Sequence, residues 1–484
     1  MNMCKKPWTI RASERAFALP FAALVGVIML VMGLAFLQIS YLDVDSAAKN
    51  THETQALGAA EIGIERARVM AGNQARPWSQ MTYGGGPLVW ESSADPLYEG
   101  HQICRLIINA PAGGATNAAY SVVIEDRAGD LSTSTWFRIH SFGVMKSKVR
   151  HVTLESLALT HASFGWLTNL ERDEEGNRLY FFDGDVIDGY VYSNDAINIQ
   201  GSPLFTDLVN TAASDIYYAN GGPPADNPQF LGGVNTDAPY LDFQTLMTGG
   251  HIAIIRDKAM EPTGIYLGPN DGLPYRISFN PNATITIEKR VLKKGSKKKD
   301  AAYQWENICT NKPLSSTNGA IYAEEETWVS GVVNGQVTVA TSEDNDILIT
   351  DELVYAYPAD KKKVFNEDWD PDDPNFTNKI GLISGGDIIL KENDAADLYV
   401  MGSFVAVNGS FVNEYSLRDP AKALHIYGSM AQDRRGPVGF FGAEGATGYS
   451  KDYKYDDRFL EAPTPYYPPL AFAVRDWHLR VPEF

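Results

Sequence analysis

The sequence predicts an α+β protein: one long N-terminal helix, then a small antiparallel sheet, then a large mainly-β body. Three observations predict it. An uncharged apolar run near the N-terminus continues into a proline-free amphipathic stretch; short alternating β-type runs follow; and glycine-punctuated β-branched runs fill the rest. The 484 residues are too many for one ordinary core, so several domains are expected. The 42 Gly and 26 Pro, with 24 Tyr and 21 Phe, favour short strands and turns over helical bundles.

Residues 1–16 read as a leader and 17–41 as a transmembrane helix. From Ala16 to Tyr41 no residue is charged, and about 20 apolar residues suffice to cross the ~30 Å hydrocarbon core of a bilayer. Lys5, Lys6, Arg11 and Arg15 precede the run, and Asp43 and Asp45 follow it. That asymmetry predicts a single-pass protein with a cytoplasmic N-terminus and a periplasmic or extracellular body. The cytoplasmic membrane is therefore the first expected partner. A cleaved secretory signal is the alternative, but its apolar core is normally shorter.

Residues 42–73 read as a stem continuing the same helix. Ala56, Ala60, Gly63 and Ala67 recur at helical spacing, while Glu61, Glu65, Arg66 and Arg68 occupy much of the other side. A stripe of such small side chains suits close approach to another helix or to a small sheet. Gly72-Asn73 supplies a stop.

Residues 77–165 carry strand-like runs such as Cys104–Ile108, Tyr120–Ile124, Trp136–His140 and Val149–Leu154. The last two are expected to form a hairpin bending near Gly143, with His140 and His151 facing each other across it as a polar strand face.

Two of these pieces resemble the N-terminal region of type IV pilins, PilX-type minor pilins in particular. They are Arg15-Ala16-Phe17-Ala18-Leu19 with the uncharged run behind it, and Ala59-Ala60-Glu61-Ile62-Gly63-Ile64-Glu65-Arg66-Ala67. The resemblance covers about 60 residues. It implies prepilin-peptidase processing between Ala16 and Phe17, and entry into a pilus-like filament or its assembly complex, with other pilin-like subunits as partners. The sequence departs from the family by having Ala16 where glycine is preferred, and Phe21 where major pilins place a glutamate. The second departure implies a minor or tip subunit, or a subunit that does not polymerise.

Residues 166–484 form the expected body. Runs such as Ile321–Ala323, Thr327–Gly331, Gln336–Ala340, Asp346–Thr350 and Leu353–Ala356, closed by Gly, Asn or Asp, suit the rungs of a parallel β-solenoid; a β-sandwich is the alternative. The pieces Asp185–Gly189, Tyr192–Asn194, Gly201–Phe205 and Arg434–Gly439 resemble an uncharacterised bacterial β-rich domain found behind PilX-like stems, which implies architecture and no chemistry. The tail, Gly448–Tyr453 and Pro465–Pro469, belongs to the same resemblance. The Tyr/Pro-rich stretch from Tyr449 to Pro469 is expected to strap over the solenoid's open end.

The net charge of −19 excludes a nucleic-acid surface in this reading, because a polyanion needs a positive counter-field. No nucleophile-elbow, zinc-protease, phosphate-loop or paired-cysteine motif occurs, so no catalytic residue and no cofactor are assigned. Asp368, Asp370 and Asp372 alternate as Ca²⁺ ligands do, without EF-hand spacing; a solvated loop is the plainer reading. Two other functions stay open. A membrane-tethered polysaccharide-active β-helix enzyme would use Asp183, Asp185 and Asp188. A surface adhesin would stack glycans on Trp328, Tyr355, Tyr357 or Trp369. Of the three cysteines, Cys104 and Cys309 are the pair that could be bridged, while Cys4 precedes the membrane run.

Overall fold

The computed structural model describes residues 12–74, 81–113, 117–127, 136–241, 251–293, 302–366, 369–391, 397–414, 422–442 and 445–480. Helix α1 runs unbroken over Ala12–Gln74, about 95 Å at the α-helical rise. No interruption occurs at residues 38–46, where lipid and water would meet. The most apolar window within Ala23–Met70 has mean hydropathy 2.3 and is wholly unburied. From Val27 to Val44 every apolar side chain is exposed. A helix that is greasy all round and covered by nothing is, by length and composition, fit to cross a membrane.

The second half of α1 lies on an antiparallel sheet whose strand order is Glu91–Ser92, Gln102–Pro111, Ala119–Asp126, Trp136–Met145, Lys148–Thr160, Pro469–Arg480. Alternation puts Tyr120, Val122, Ile124, Phe137, Ile139, Val152 and Leu154 into one core with the helix's Ala56, Ala59, Ala60, Ile64 and Ala67. The hairpin expected between residues 136 and 154 is present. However, the chain turns at Lys146, which has φ of 52°, and not near Gly143, which sits inside a strand opposite Arg150.

The body is mainly parallel. One ladder runs Ile265–Leu267, Ala320–Ala323, Gln336–Thr341, Lys379–Ser384, Asp397–Ala406, Lys422–Arg434. It continues into Trp166–Leu170, Val191–Ser193, Val209–Thr211 and Val234–Asn235, again parallel at each step. The spatial order is therefore split relative to the chain. The polypeptide enters mid-stack at Trp166 and winds outward to Asn235. It resumes at the opposite end at Ile265 and winds back until Lys422–Arg434 meets the entry strand. The helix His251–Met260 lies on the outer face during the return, burying Ile252, Ile255 and Ala259 against Ala320, Tyr322 and Ala340. Inward positions form a single apolar column that includes Phe181, Phe205, Ile277, Val339, Leu382, Phe404 and Ile426.

The tail departs from expectation. Gly445–Tyr455 is a strand of the stack, paired with Lys422–Arg434 and Val186–Ile187, and Tyr449 points into the apolar column. Residues 464–467 lie on an outer face, not over an open end. There the Thr338 hydroxyl donates to the Pro465 carbonyl at 2.6 Å, and the Tyr467 hydroxyl pairs with Ser403. Small ladder residues make room for them: a Cβ on Gly381 would come within 2.5 Å of Thr464 Oγ1 and 2.8 Å of the Tyr467 ring. The chain then leaves the body, and Pro469–Arg480 becomes the edge strand of the first sheet, antiparallel to Lys148–Thr160.

Candidate functional site: the stem seat and its buried charges

The small-residue stripe is occupied by the protein's own sheet. Ala56, Ala60 and Ala67 are fully buried there. A Cβ on Gly63 would stand 2.1 Å from Ser141 Oγ, and one on Gly143 would stand 1.8 Å from the Ala56 carbonyl oxygen, in the helix backbone itself. Glycines on both sides of the crossing thus let a helix rest almost on the strands. Glu53 fixes the crossing from the side, accepting from Lys148 at 2.7 Å and from Arg150 at 2.6 Å. The Lys148 hydrogen bond, chiefly, holds the Glu53 carboxyl below its ordinary value. Of the predicted processing pair, Ala16 and Phe17 are helical in backbone, while their side chains lie outside the described residues.

The sheet's opposite face carries a charged cluster that sequence reading touched only through its histidines. Glu125 is fully buried and accepts from His140 Nε2 at 2.8 Å, His101 Nδ1 at 2.8 Å and Arg127 at 3.2 Å. His140 and His151 lie 3.1 Å apart with near-parallel rings, and Phe142 stacks on His151. Burial alone pushes the Glu125 carboxyl up, but the hydrogen bonds from His140 and His101 and the charges of His140 and Arg127 outweigh it and hold the group at about 2. A carboxyl held below its ordinary 4.5 stabilises the fold fully above that value and loses this contribution as pH falls from 4.5 through about 2. The stability gap between the wild type and Glu125→Gln, read from urea midpoints, is expected to be widest near about pH 6 and to close toward about pH 2. A gap independent of acidity would remove Glu125 from that role.

In the body, Asp183, Asp185 and Asp188 share one turn region, and each is engaged with neighbouring backbone or side chains. Asp183 accepts from the Ser202 N–H at 2.5 Å, and Asp188 accepts from the Thr206 hydroxyl at 2.6 Å and the Tyr455 N–H at 3.1 Å. Asp185 is ion-paired with buried Lys451 at 2.7 Å. Burial, chiefly, pulls the Lys451 ammonium down, against the opposing pull of Asp185. Beside it Arg435 Nη1 donates to Glu171 at 2.9 Å, its other bonds go to the Leu179 and Tyr180 carbonyls, and its guanidinium lies 3.8 Å from the centre of the Phe181 ring. Both pairs join residues beside the entry strands to residues beside the body's last strands. They close the seam where the two halves of the stack meet. The signal for them was Arg434-Arg435-Gly436, legible as a pattern but not as a pairing.

Asp368 lies outside the described residues. Asp370 accepts from the Asp372 N–H at 3.0 Å, and Asp373 accepts from the Tyr357 hydroxyl at 2.7 Å, as turn-forming side chains do. No group of three His, Cys, Asp or Glu is placed to hold a metal among the described residues. Cys104 is buried in the first sheet's core, where burial pushes its thiol up to about 11, and Cys309 lies on the body's hairpin; both are free thiols. A cleft of about 590 Å³ beside the end of the stem is lined by Val69, Met70, Tyr83, Ile107, Pro111 and Tyr120, with Arg66 as its charged side chain. That set offers no acid–base pair.

The architecture is thus a membrane-length helix seated on an antiparallel sheet, with a mainly parallel β body attached. No protein family matches the chain, and no curated relative does. Among solved structures, the competence-associated pilin ComZ from Thermus thermophilus is similar over 89% of this chain and 98% of its own, at 12% identity and a TM-score of 0.28, a likeness on which nothing below is built.

Proposed function

We propose that this is a non-enzymatic, membrane-anchored pilin-like protein, a minor pilin or pilus-assembly component of PilX type. In this reading residues 17–41 span the cytoplasmic membrane with the N-terminus inside, and 42–73 form the stem. Residues 77–165 form the pilin-like sheet domain, and the rest forms a β-solenoid displayed outside. The observation that carries the reading is the unbroken helix Ala12–Gln74, its apolar side chains bare from Val27 to Val44 and its second half seated on an antiparallel sheet. The stripe Ala56, Ala60, Gly63, Ala67 then serves the subunit's own assembly, and association with other subunits falls to the exposed first half. The parallel ladders favour the solenoid over a sandwich for the body. The absence of uncommitted carboxylates among Asp183, Asp185 and Asp188 weighs against the polysaccharide-active alternative.

N-terminal sequencing of protein extracted from membranes tests the proposal. A mature chain starting at Phe17, produced only when a prepilin peptidase is present, is the expected result. A protein that fractionates as soluble, or one whose terminus does not depend on that peptidase, would overturn the pilin assignment.

A further inference from the structure

One lysine at the seam is unlike the others. Val186 and Ile187 are parallel register partners of Asp452 and Tyr453, so Asp185 and Lys451 come next along the same ladder. Lys451 Nζ lies 2.7 Å from Asp185 Oδ2, and the two side chains are only 9% and 7% exposed. Every other lysine–carboxylate pair among the described residues is at least 29% exposed on both sides. The partners are also held in place. The Phe182 N–H donates to the Asp185 carboxylate at 3.0 Å, the Leu204 N–H donates to the Asp185 carbonyl at 2.9 Å, and the Phe181 ring stands beside the ammonium. Two residues along the strand from Lys451, the Tyr453 hydroxyl is buried without a hydrogen-bond partner. Burial and then the Asp185 carboxylate push that hydroxyl well up, so it stays protonated and able to donate.

We propose that Lys451 and Asp185 condense to an intramolecular amide, a covalent cross-link between the first and last strands of the body. The ion pair first passes a proton from nitrogen to oxygen, giving amine and carboxylic acid, the form that a low-dielectric site favours over two charges. Burial already pulls the Lys451 ammonium toward that nucleophilic amine. The nitrogen lone pair adds to Asp185 Cγ, the C–OH bond breaks, and the hydroxyl leaves with one amine proton as water. Ammonium and carboxylate thus give one amide and one water, with no oxidant, reductant or further reactant. Tyr453 donates to the carboxyl oxygen as charge gathers there in the tetrahedral adduct. Fixing the two reactants side by side supplies the proximity that amide formation lacks in solution, and the neutral product removes two buried charges. The neighbouring pair Arg435–Glu171 is as deeply buried but stays ionic, because a guanidinium keeps its proton. The linked residues are 266 positions apart, so the amide closes a loop around nearly the whole body. The inference does not depend on the membrane helix or on pilin processing.

The test is peptide mass spectrometry on the full-length chain, purified in detergent, unfolded and cut with trypsin. The wild type is expected to yield peptide 179–256 joined to peptide 436–454, lighter than the two together by one water. Lys451→Arg keeps the ion pair but forms no such amide, so no joined pair is expected from it. Tyr453→Phe keeps the ring in the core and is expected to give less of the joined pair, by about tenfold or more at equal time after folding, as loss of a donor to a developing oxyanion does. Wild-type circular dichroism in both variants shows that the fold is kept. Peptides 179–256 and 436–451 released separately from the wild type, a joined pair that persists in Lys451→Arg, or full joining in Tyr453→Phe would each overturn the inference.

Discussion

Replacing Gly143 by valine is expected to unseat the stem. A Cβ there would stand 1.8 Å from the Ala56 carbonyl oxygen and 2.5 Å from the Ala60 nitrogen. Both are helix backbone, so no side-chain rotation relieves the overlap. The helix must lift off the strand or the strand must buckle. Either movement opens the core holding Ala56, Ala60, Phe137 and Ile139. Overpacking a core ordinarily costs about 1–3 kcal/mol, and this case belongs at or beyond the upper end, since the obstacle cannot yield locally. Urea unfolding followed by tryptophan fluorescence, with limited proteolysis of the stem, reads the effect. Gly58→Ala is the control. Its Cβ meets nothing within 4 Å, so only the helix-propensity gain of up to about 1 kcal/mol is expected. If the Gly143 variant unfolds at the wild-type midpoint, the seat described above does not exist.

The second large effect lies at the seam. Arg435→Met would leave Glu171 fully buried, still receiving the Trp166 indole N–H at 3.2 Å and the Thr168 hydroxyl, but without its counter-charge. Stranding a buried charge costs about 3–5 kcal/mol, whereas replacing both partners by apolar side chains of similar size is often close to neutral. The expected pattern is therefore a severe loss in Arg435→Met and a substantial recovery in Arg435→Met/Glu171→Met. Equal losses in single and double variants would mean that the arginine acts through its stacking on Phe181 and its bonds to the Leu179 and Tyr180 carbonyls, and not through its charge.

The helix was legible because its signals are local: an uncharged run, no interruption by charge until Asp43, and Ala and Gly at helical spacing. Four of the first sheet's six strands were legible for the same reason, while Glu91–Ser92 and Pro469–Arg480 were not. Gly143 was misread as a bend because glycine in a strand and glycine in a turn look alike in one dimension. Only the helix pressed against it explains the missing side chain. The body's mainly-β character was legible from its short runs, but the spatial order of its strands was not. Nothing local in Trp166–Leu170 says that Lys422–Arg434 stacks on it. The tail failed in the same way: Tyr449 and Tyr467 announce burial, yet the partner of Pro469–Arg480 lies some three hundred residues upstream. The charged clusters were hidden because pairing between strands distant in sequence leaves no spacing to read. His140 and His151 were noticed, while Glu125, which binds His140, was not.

The chain goes into the body from Lys148–Thr160 and comes out through Pro469–Arg480, and these two strands are neighbours in one sheet. Force applied along α1 therefore reaches the sheet through the α1 crossing, while the parallel strands of the body hang beside that line on two neighbouring connections. Because the entry strand sits in the middle of the parallel ladder, strands can be gained or lost at either tip while the two connecting strands stay where they are.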